Sequence, residues 1–222
     1  MHSWQERTAG CGLMLHGPMD GAVDPAPLLA EFAMLDRSLG VEGRAHYEHD
    51  GSWSAITLLE RIDGRPSAAT PALALMPSVA RLLDGWGGEV QQVALLRQAP
   101  GGTLPWHFDN QALHLPLCRL LLPLVVPADA VTWVGHEAAA YPPGRFWAGD
   151  FSMPHQVENP GAAQRVVLAV DAAPTAALVR RFPPALVADL PQRLALAEEC
   201  RNLMQRWRAR QPVASGYAAL GA

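Results

Sequence analysis

The chain is short of cysteine, of long apolar runs and of excess basic charge, and each shortage excludes a class of protein. Its three cysteines, Cys11, Cys118 and Cys200, lie far apart with no Cys-x-x-Cys pair. That excludes a zinc ribbon or a disulfide framework and fits reduced thiols. No run of about 18 apolar residues occurs, so no segment reads as a membrane span. A net charge of -4 leaves no basic footprint for nucleic acid. The start, "MHSWQERTAGCG", has no apolar stretch behind a basic one and does not read as a secretory signal, so the expected location is cytoplasmic. Internal repeats, low-complexity tracts and a Pro/Ser linker are also missing, which favours one domain over residues 1–222.

What is present describes a well-buried globular protein: 50% of residues are hydrophobic and 17% charged. In "DPAPLLAEFAMLDRSLG", residues 24–40, Leu28, Leu29, Phe32, Leu35 and Leu39 recur at helical spacing between an Asp-Pro start and a Gly stop. Residues 51–60 read as a strand. "ALALMPSVARLLDGWGG" reads as a second helix ending at Gly87 and Gly88. From residue 89 to 172 short apolar runs separated by Pro, Gly and Asn turns have the rhythm of an antiparallel sandwich or barrel. Residues 184–210 return to helix, with Leu194, Ala197, Arg201, Met204 and Trp207 in register. The expected order is N-terminal helices and a strand over 1–88, a β core over 89–172 and a C-terminal helical segment over 173–222. Nothing in it sets an oligomeric state.

Inside the β core, "LPWHFDN" (104–110) carries His107 and Asp109 two residues apart. Such a pair arises easily by chance, as "HYE" at 46–48 shows, but on a strand both side chains would face the same way, into the core. A carboxylate there needs a cation or several donors. His155 opens a later strand, and "NPG" at 159–161 supplies a turn before "RVVLAVD". Folding this as a hairpin about residue 160 would set His155 opposite Arg165. Arg165 falls on the opposite face from Val166, Leu168 and Val170, where a guanidinium near a metal suggests an anionic ligand. Two histidines and one carboxylate with positions left open form the facial triad of non-haem Fe(II) oxygenases. An arginine within reach is the usual anchor for the distal carboxylate of 2-oxoglutarate.

His107-x-Asp109, Arg119 in "CRLLLPLVV", and "PPGRFWAGDFSMPHQVENPGAAQRVVLAVD" together resemble the aspartyl/asparaginyl β-hydroxylase family of Fe(II)/2-oxoglutarate oxygenases, including its bacterial proline hydroxylase branch. The resemblance spans about residues 45 to 175, and Gly144, Trp147 and Asp150 fill its Gly-x-x-Trp-x-x-Asp run. It implies a mainly β fold with flanking helices around a double-stranded β-helix, a cupin-like jelly roll. It also implies iron on His107, Asp109 and His155 and the C5 carboxylate of 2-oxoglutarate on Arg165. Arg119 is the expected second cosubstrate contact, with His114 competing for that role in a shifted register, because Leu121 stands where the family often has a histidine.

The activity implied is hydroxylation of an amino-acid side chain, in a peptide or as a free amino acid, coupled to oxidative decarboxylation of 2-oxoglutarate by dioxygen. Asn110, His114 and Trp106 are the candidate substrate contacts. Two other readings stay open on the residues alone: a non-catalytic cupin-like protein that binds metal or ligand without turnover, and a zinc hydrolase.

Overall fold

The computed structural model describes residues 1–39, 45–46, 52–63, 65–84, 86 and 89–211. Its helices are α1 (Ser3–Ala9), α2 (Pro25–Leu39), α3 (Pro71–Ala74), α4 (Pro77–Asp84), α5 (Ala176–Val179), α6 (Pro184–Val187) and α7 (Leu190–Arg208). The strands are β1 (His16–Pro18), β2 (Ala45–His46), β3 (Trp53–Glu60), β4 (Ala68–Ala69), β5 (Val90–Gln98) and β6 (Thr103–His107), followed by β7 (Cys118–Val125), β8 (Val131–Val134), β9 (Glu137–Ala139), β10 (Trp147–Gly149), β11 (His155–Glu158) and β12 (Arg165–Ala172).

They form two antiparallel sheets. The major one runs β1-β10-β7-β12-β5-β3-β2, with β4 beside β3, and the minor one runs β6-β11-β8-β9. This is the jelly roll that the resemblance implies. The major sheet also draws in β1, β2 and β3, from the part of the chain before residue 89.

Alternation along the central strands separates two apolar layers. Leu120, Leu122, Leu124, Val166, Leu168 and Val170 face α2, α4 and α5 across the outer side of the major sheet. Leu121, Val167 and Ala169 face the other way, toward Val134, Tyr141, Phe151 and Met153, and this layer continues beneath α1 and α7. Each fully buried aliphatic side chain contributes about 1.5 to 3 kcal/mol. β12 is buried along its whole length, so both its faces are used.

The helices show where local rules broke the expected boundaries. α2 forms as its spacing predicts, burying Leu28, Phe32 and Leu35. The single helix expected over 72–88 is two, because Pro77 lacks an N–H and disfavours helical backbone at Met76. Glu31 of α2 caps the second piece by accepting the Ser78 N–H at 2.9 Å and its hydroxyl at 2.6 Å. Gly87 and Gly88 lie outside the described residues, as do Tyr47 and Glu48 of "HYE", whose His46 ends β2. Pro191 likewise splits the C-terminal helix, with Asp189 as N-cap of α7, its carboxylate accepting the Gln192 N–H at 3.2 Å. The buried stripe of α7 is Arg193, Leu196, Ala197, Cys200 and Met204. Leu194, expected inside, is 45% exposed. α1 was not anticipated; it packs on α7, with an exposed Arg7–Glu199 pair between them.

The hairpin expected about residue 160 is absent. β11 lies between β6 and β8 in the minor sheet, whereas β12 lies between β5 and β7 in the major one. The turn at 159–161 is a corner between sheets, held by the Asn159 side chain on the carbonyls of Ala99 and Ala163. Turn residues flanked by apolar strands read the same in either case, and periodicity does not separate them.

The Gly-x-x-Trp-x-x-Asp run is largely structural at its ends. Gly144 has φ +80°, and a Cβ there would lie 2.7 Å from the Val23 carbonyl oxygen. Asp150, fully buried, accepts from Ser152 Oγ and, at 3.2 Å, from Arg193 of α7, itself only 1% exposed. Asp150→Ala leaves that guanidinium buried without its counter-ion and is expected to cost about 3 to 5 kcal/mol. Urea denaturation checks this, and an unchanged midpoint would remove the pair from the fold's supports.

Candidate metal centre and active site

The pairing of β6 with β11 sets His155 directly against His107, with ring centroids 4.0 Å apart. β6 ends at His107, so Asp109 stands beyond the strand and not on it. There it is fixed by its N–H on the Phe151 carbonyl at 2.8 Å. Its carboxylate oxygens lie 3.8 Å from His107 Nε2 and 3.8 Å from His155 Nε2. One donor atom from each of the three residues falls within 4.8 Å of the others, the only group among the described residues arranged in this way.

The donor set suits a divalent metal with nitrogen and oxygen preference. Each imidazole has Nδ1 against a backbone carbonyl two residues earlier, His107 on Pro105 at 2.7 Å and His155 on Met153 at 3.0 Å. A carbonyl only accepts, so each Nδ1 carries the proton and each Nε2 keeps its lone pair. Burial lowers both histidine pKa values, that of His155 to about 3, which keeps the rings neutral. Burial alone would raise the pKa of Asp109, but Arg119, with His155 and His107, brings it below the usual carboxylate range. Asp109 keeps 24% of its side chain exposed, so the cluster opens on one side.

Arg119, expected on the cosubstrate, has other partners. The β7–β12 register places it directly opposite Asp171, and its fork donates to both Asp171 oxygens at 2.8 and 2.9 Å. Its remaining terminal nitrogen holds Asp109 at 2.5 Å. The guanidinium therefore orients the carboxylate of the triad. Asp171, which also accepts from Gln111 Nε2 at 3.3 Å, was missed from sequence. Its signal was there: it continues the alternation of Arg165, Val167 and Ala169.

Arg165 sits on the major sheet, not beside His155 on a shared hairpin. It reaches across the interior to Thr132 Oγ1 on the minor sheet at 3.2 Å. Only 3% exposed, it has no carboxylate within 4.0 Å among the described residues. Burial lowers its pKa to about 10, opposed weakly by Tyr141.

The remaining candidates divide. Trp106 alternates away from His107, and its ring packs on Trp4 and His2 beneath α1 and α7, at 5.6 Å from each. Its expected place in a substrate pocket is not what this packing provides. Asn110 is exposed just after the triad carboxylate. His114 lies in the following turn with Nδ1 buried and unpartnered, as is Gln111 Oε1.

The profile of the aspartyl/asparaginyl β-hydroxylases matches residues 30–174. The chain belongs to that family. It is thereby an Fe(II)/2-oxoglutarate-dependent dioxygenase, with iron and 2-oxoglutarate as cofactors. No curated protein sequence matches it significantly. Among solved structures, an oxidoreductase of the 2OG-Fe(II) oxygenase family from Burkholderia pseudomallei is similar in fold, at 14% identity and TM-score 0.51, over 78% of this chain and 90% of that one. The carbocyclase SnoK from nogalamycin biosynthesis, a non-haem α-ketoglutarate-dependent enzyme, also has TM-score 0.51, at 13% identity over 71% and 79% of the two chains.

Asp171→Asn removes one charge from the clamp on Arg119 and is expected to lower Fe(II) affinity about 10 to 100-fold, the usual cost of disturbing groups that orient metal ligands. Anaerobic equilibrium dialysis measures it, and unchanged affinity would show that Asp109 is held without Asp171.

Proposed function

We propose that this family member hydroxylates an aliphatic carbon of an amino-acid side chain, using His107, Asp109 and His155 to hold iron and Arg165 to hold the distal carboxylate of 2-oxoglutarate. The observation that carries the reading is Arg165: a buried guanidinium with no carboxylate within 4.0 Å among the described residues, reaching Thr132, which pairs with β11 two residues from His155, calls for an anion. When loaded, such a site couples oxidative decarboxylation of 2-oxoglutarate with dioxygen to hydroxylation of a C–H bond.

The chain's own groups provide the rest. The two imidazoles present Nε2 without a proton to displace, and Arg119 keeps Asp109 ionised and aimed. The open side, where Asp109 meets solvent and Asn110, Gln111 and His114 follow, is where a substrate would enter. The unpartnered buried atoms of Gln111 and His114 are suited to an amide or carboxylate. We favour a residue in a short peptide over a free amino acid, because both charged groups beside Asp109, Arg119 and Asp171, already satisfy each other. We place the enzyme in the cytoplasm, which its three free thiols suit. No described helix is long and apolar enough to cross a membrane.

Replacing any triad residue by alanine is expected to abolish turnover while leaving the thermal midpoint near that of the parent, as a missing ligand leaves the metal unbound or misplaced. Near-parental turnover in one variant would exclude that residue. Arg165→Ala should instead keep iron and raise the 2-oxoglutarate requirement about 10 to 150-fold, the worth of a buried charge-assisted contact. Loss of iron with unchanged 2-oxoglutarate affinity would reverse the two roles. Mass spectrometry after incubation with free amino acids and with short peptides containing Asp, Asn, Pro or Val separates the substrate classes. Oxidation confined to free amino acids would overturn the preference for peptides.

A further inference from the structure

A carboxylate has two oxygens with about four acceptor sites, more than one guanidinium and a threonine hydroxyl satisfy. Further donors for such a carboxylate would come from the interior face that carries Arg165. Along the major sheet that face runs through Arg165, Val167 and Ala169 on β12, Leu121 opposite Ala169 on β7, and Trp147 opposite Leu121 on β10. Trp147 Nε1 is buried and has no acceptor among the described residues. A buried N–H without a partner loses its hydration with nothing in return, and such a group in a native protein calls for an explanation.

The surroundings of Trp147 fix where its N–H can act. Its ring packs on Tyr141 with centroids 4.6 Å apart and on His16 at 5.9 Å. The Tyr141 hydroxyl is occupied by His16 Nδ1 at 2.7 Å. His16 in turn lies 3.5 Å from Glu137, whose carboxylate accepts the N–H groups of Leu15 and His16. Tyr141 holds this place at a backbone cost, with φ +51° for a bulky side chain. It follows β9, where Ala139 pairs with Thr132, the partner of Arg165. Tyr141 thus joins the indole to the Arg165–Thr132 corner.

We propose that Trp147 Nε1 donates a hydrogen bond to the distal carboxylate of 2-oxoglutarate, opposite Arg165, and that Tyr141 is a positioning residue that holds the indole there through the His16–Glu137 chain. The proposal rests on the assignment of Arg165 as the anchor for that carboxylate. Trp147 then has a binding role within the Gly-x-x-Trp-x-x-Asp run, whose Gly144 and Asp150 are structural.

Calorimetric titration of the Fe(II)-loaded protein without oxygen tests it, using two ligands: 2-oxoglutarate, and pyruvate, which has the same 2-oxoacid end but no distal carboxylate. Trp147→Phe keeps an aromatic ring against Tyr141 and removes the N–H. It is expected to weaken 2-oxoglutarate about 10-fold or more, the worth of a hydrogen bond to a charged group, and to leave pyruvate unchanged. Tyr141→Phe, which keeps the ring, should change 2-oxoglutarate affinity less than Trp147→Phe does. If Trp147→Phe leaves 2-oxoglutarate binding unchanged, or weakens both ligands equally, the proposal is overturned. Should Trp147→Phe lower the thermal midpoint, Trp147→His, which restores a ring N–H, is expected to recover part of the discrimination between the ligands, and its failure to do so also overturns the proposal. Arg165→Ala run in parallel separates the two levels: unchanged 2-oxoglutarate affinity in that variant removes the anchor itself, whatever Trp147 does.

Discussion

The register between β6 and β11 is the constraint on which the site depends. A shift of one residue would turn His155 away from His107 and send one imidazole to the outer face of the minor sheet. The register is secured from both sides, since β8 pairs with β11 over four consecutive residues and Asn159 N–H bonds to the Gly102 carbonyl at the start of β6. Each Nδ1 is tied to its own strand, so strand position is transmitted to the ring and to its free nitrogen.

Around this pairing, three buried or half-buried arginines are treated differently. Arg193 is neutralised by Asp150 and joins α7 to the sheet corner. Arg119 is neutralised by Asp171 and Asp109, so its charge is used to aim a ligand. Arg165 has a hydroxyl partner and, among the described residues, no counter-charge within 4.0 Å. Desolvating a cation without compensation is costly, and it is this that makes Arg165 the proposed anchor for a small dianion. The difference among them, more than the presence of arginine near a histidine cluster, carries that proposal.

Much of this was legible in the sequence because it depends on local pattern. Short apolar runs with turn residues pointed to an antiparallel β core, to which the family resemblance added the jelly-roll form, and His107, Asp109, His155 and Arg165 stood out as polar residues at interior positions. What local pattern missed was long-range pairing. "NPG" read as a hairpin because the same turn serves a corner between sheets. Arg119 read as a cosubstrate contact because Asp171, its partner, is 52 positions away and only the β7–β12 register joins them. Trp106 was counted in the pocket although period-2 alternation puts it on the opposite face from His107. Tyr141 and His16 carried no signal, since a left-handed tyrosine and a histidine 125 positions before it meet only after the sheets close.

The account's central claim is that one interior space holds a metal on three side chains and a dianion spanning from that metal to Arg165. A crystal structure of the protein grown without oxygen in Fe(II) and 2-oxoglutarate tests it most directly. The account predicts the metal bound by His107 Nε2, His155 Nε2 and a carboxylate oxygen of Asp109, with the oxoacid on the metal at one end and on Arg165 at the other. A metal that recruits a fourth protein ligand and closes the site, or an oxoacid whose distal carboxylate lies away from Arg165, would contradict it.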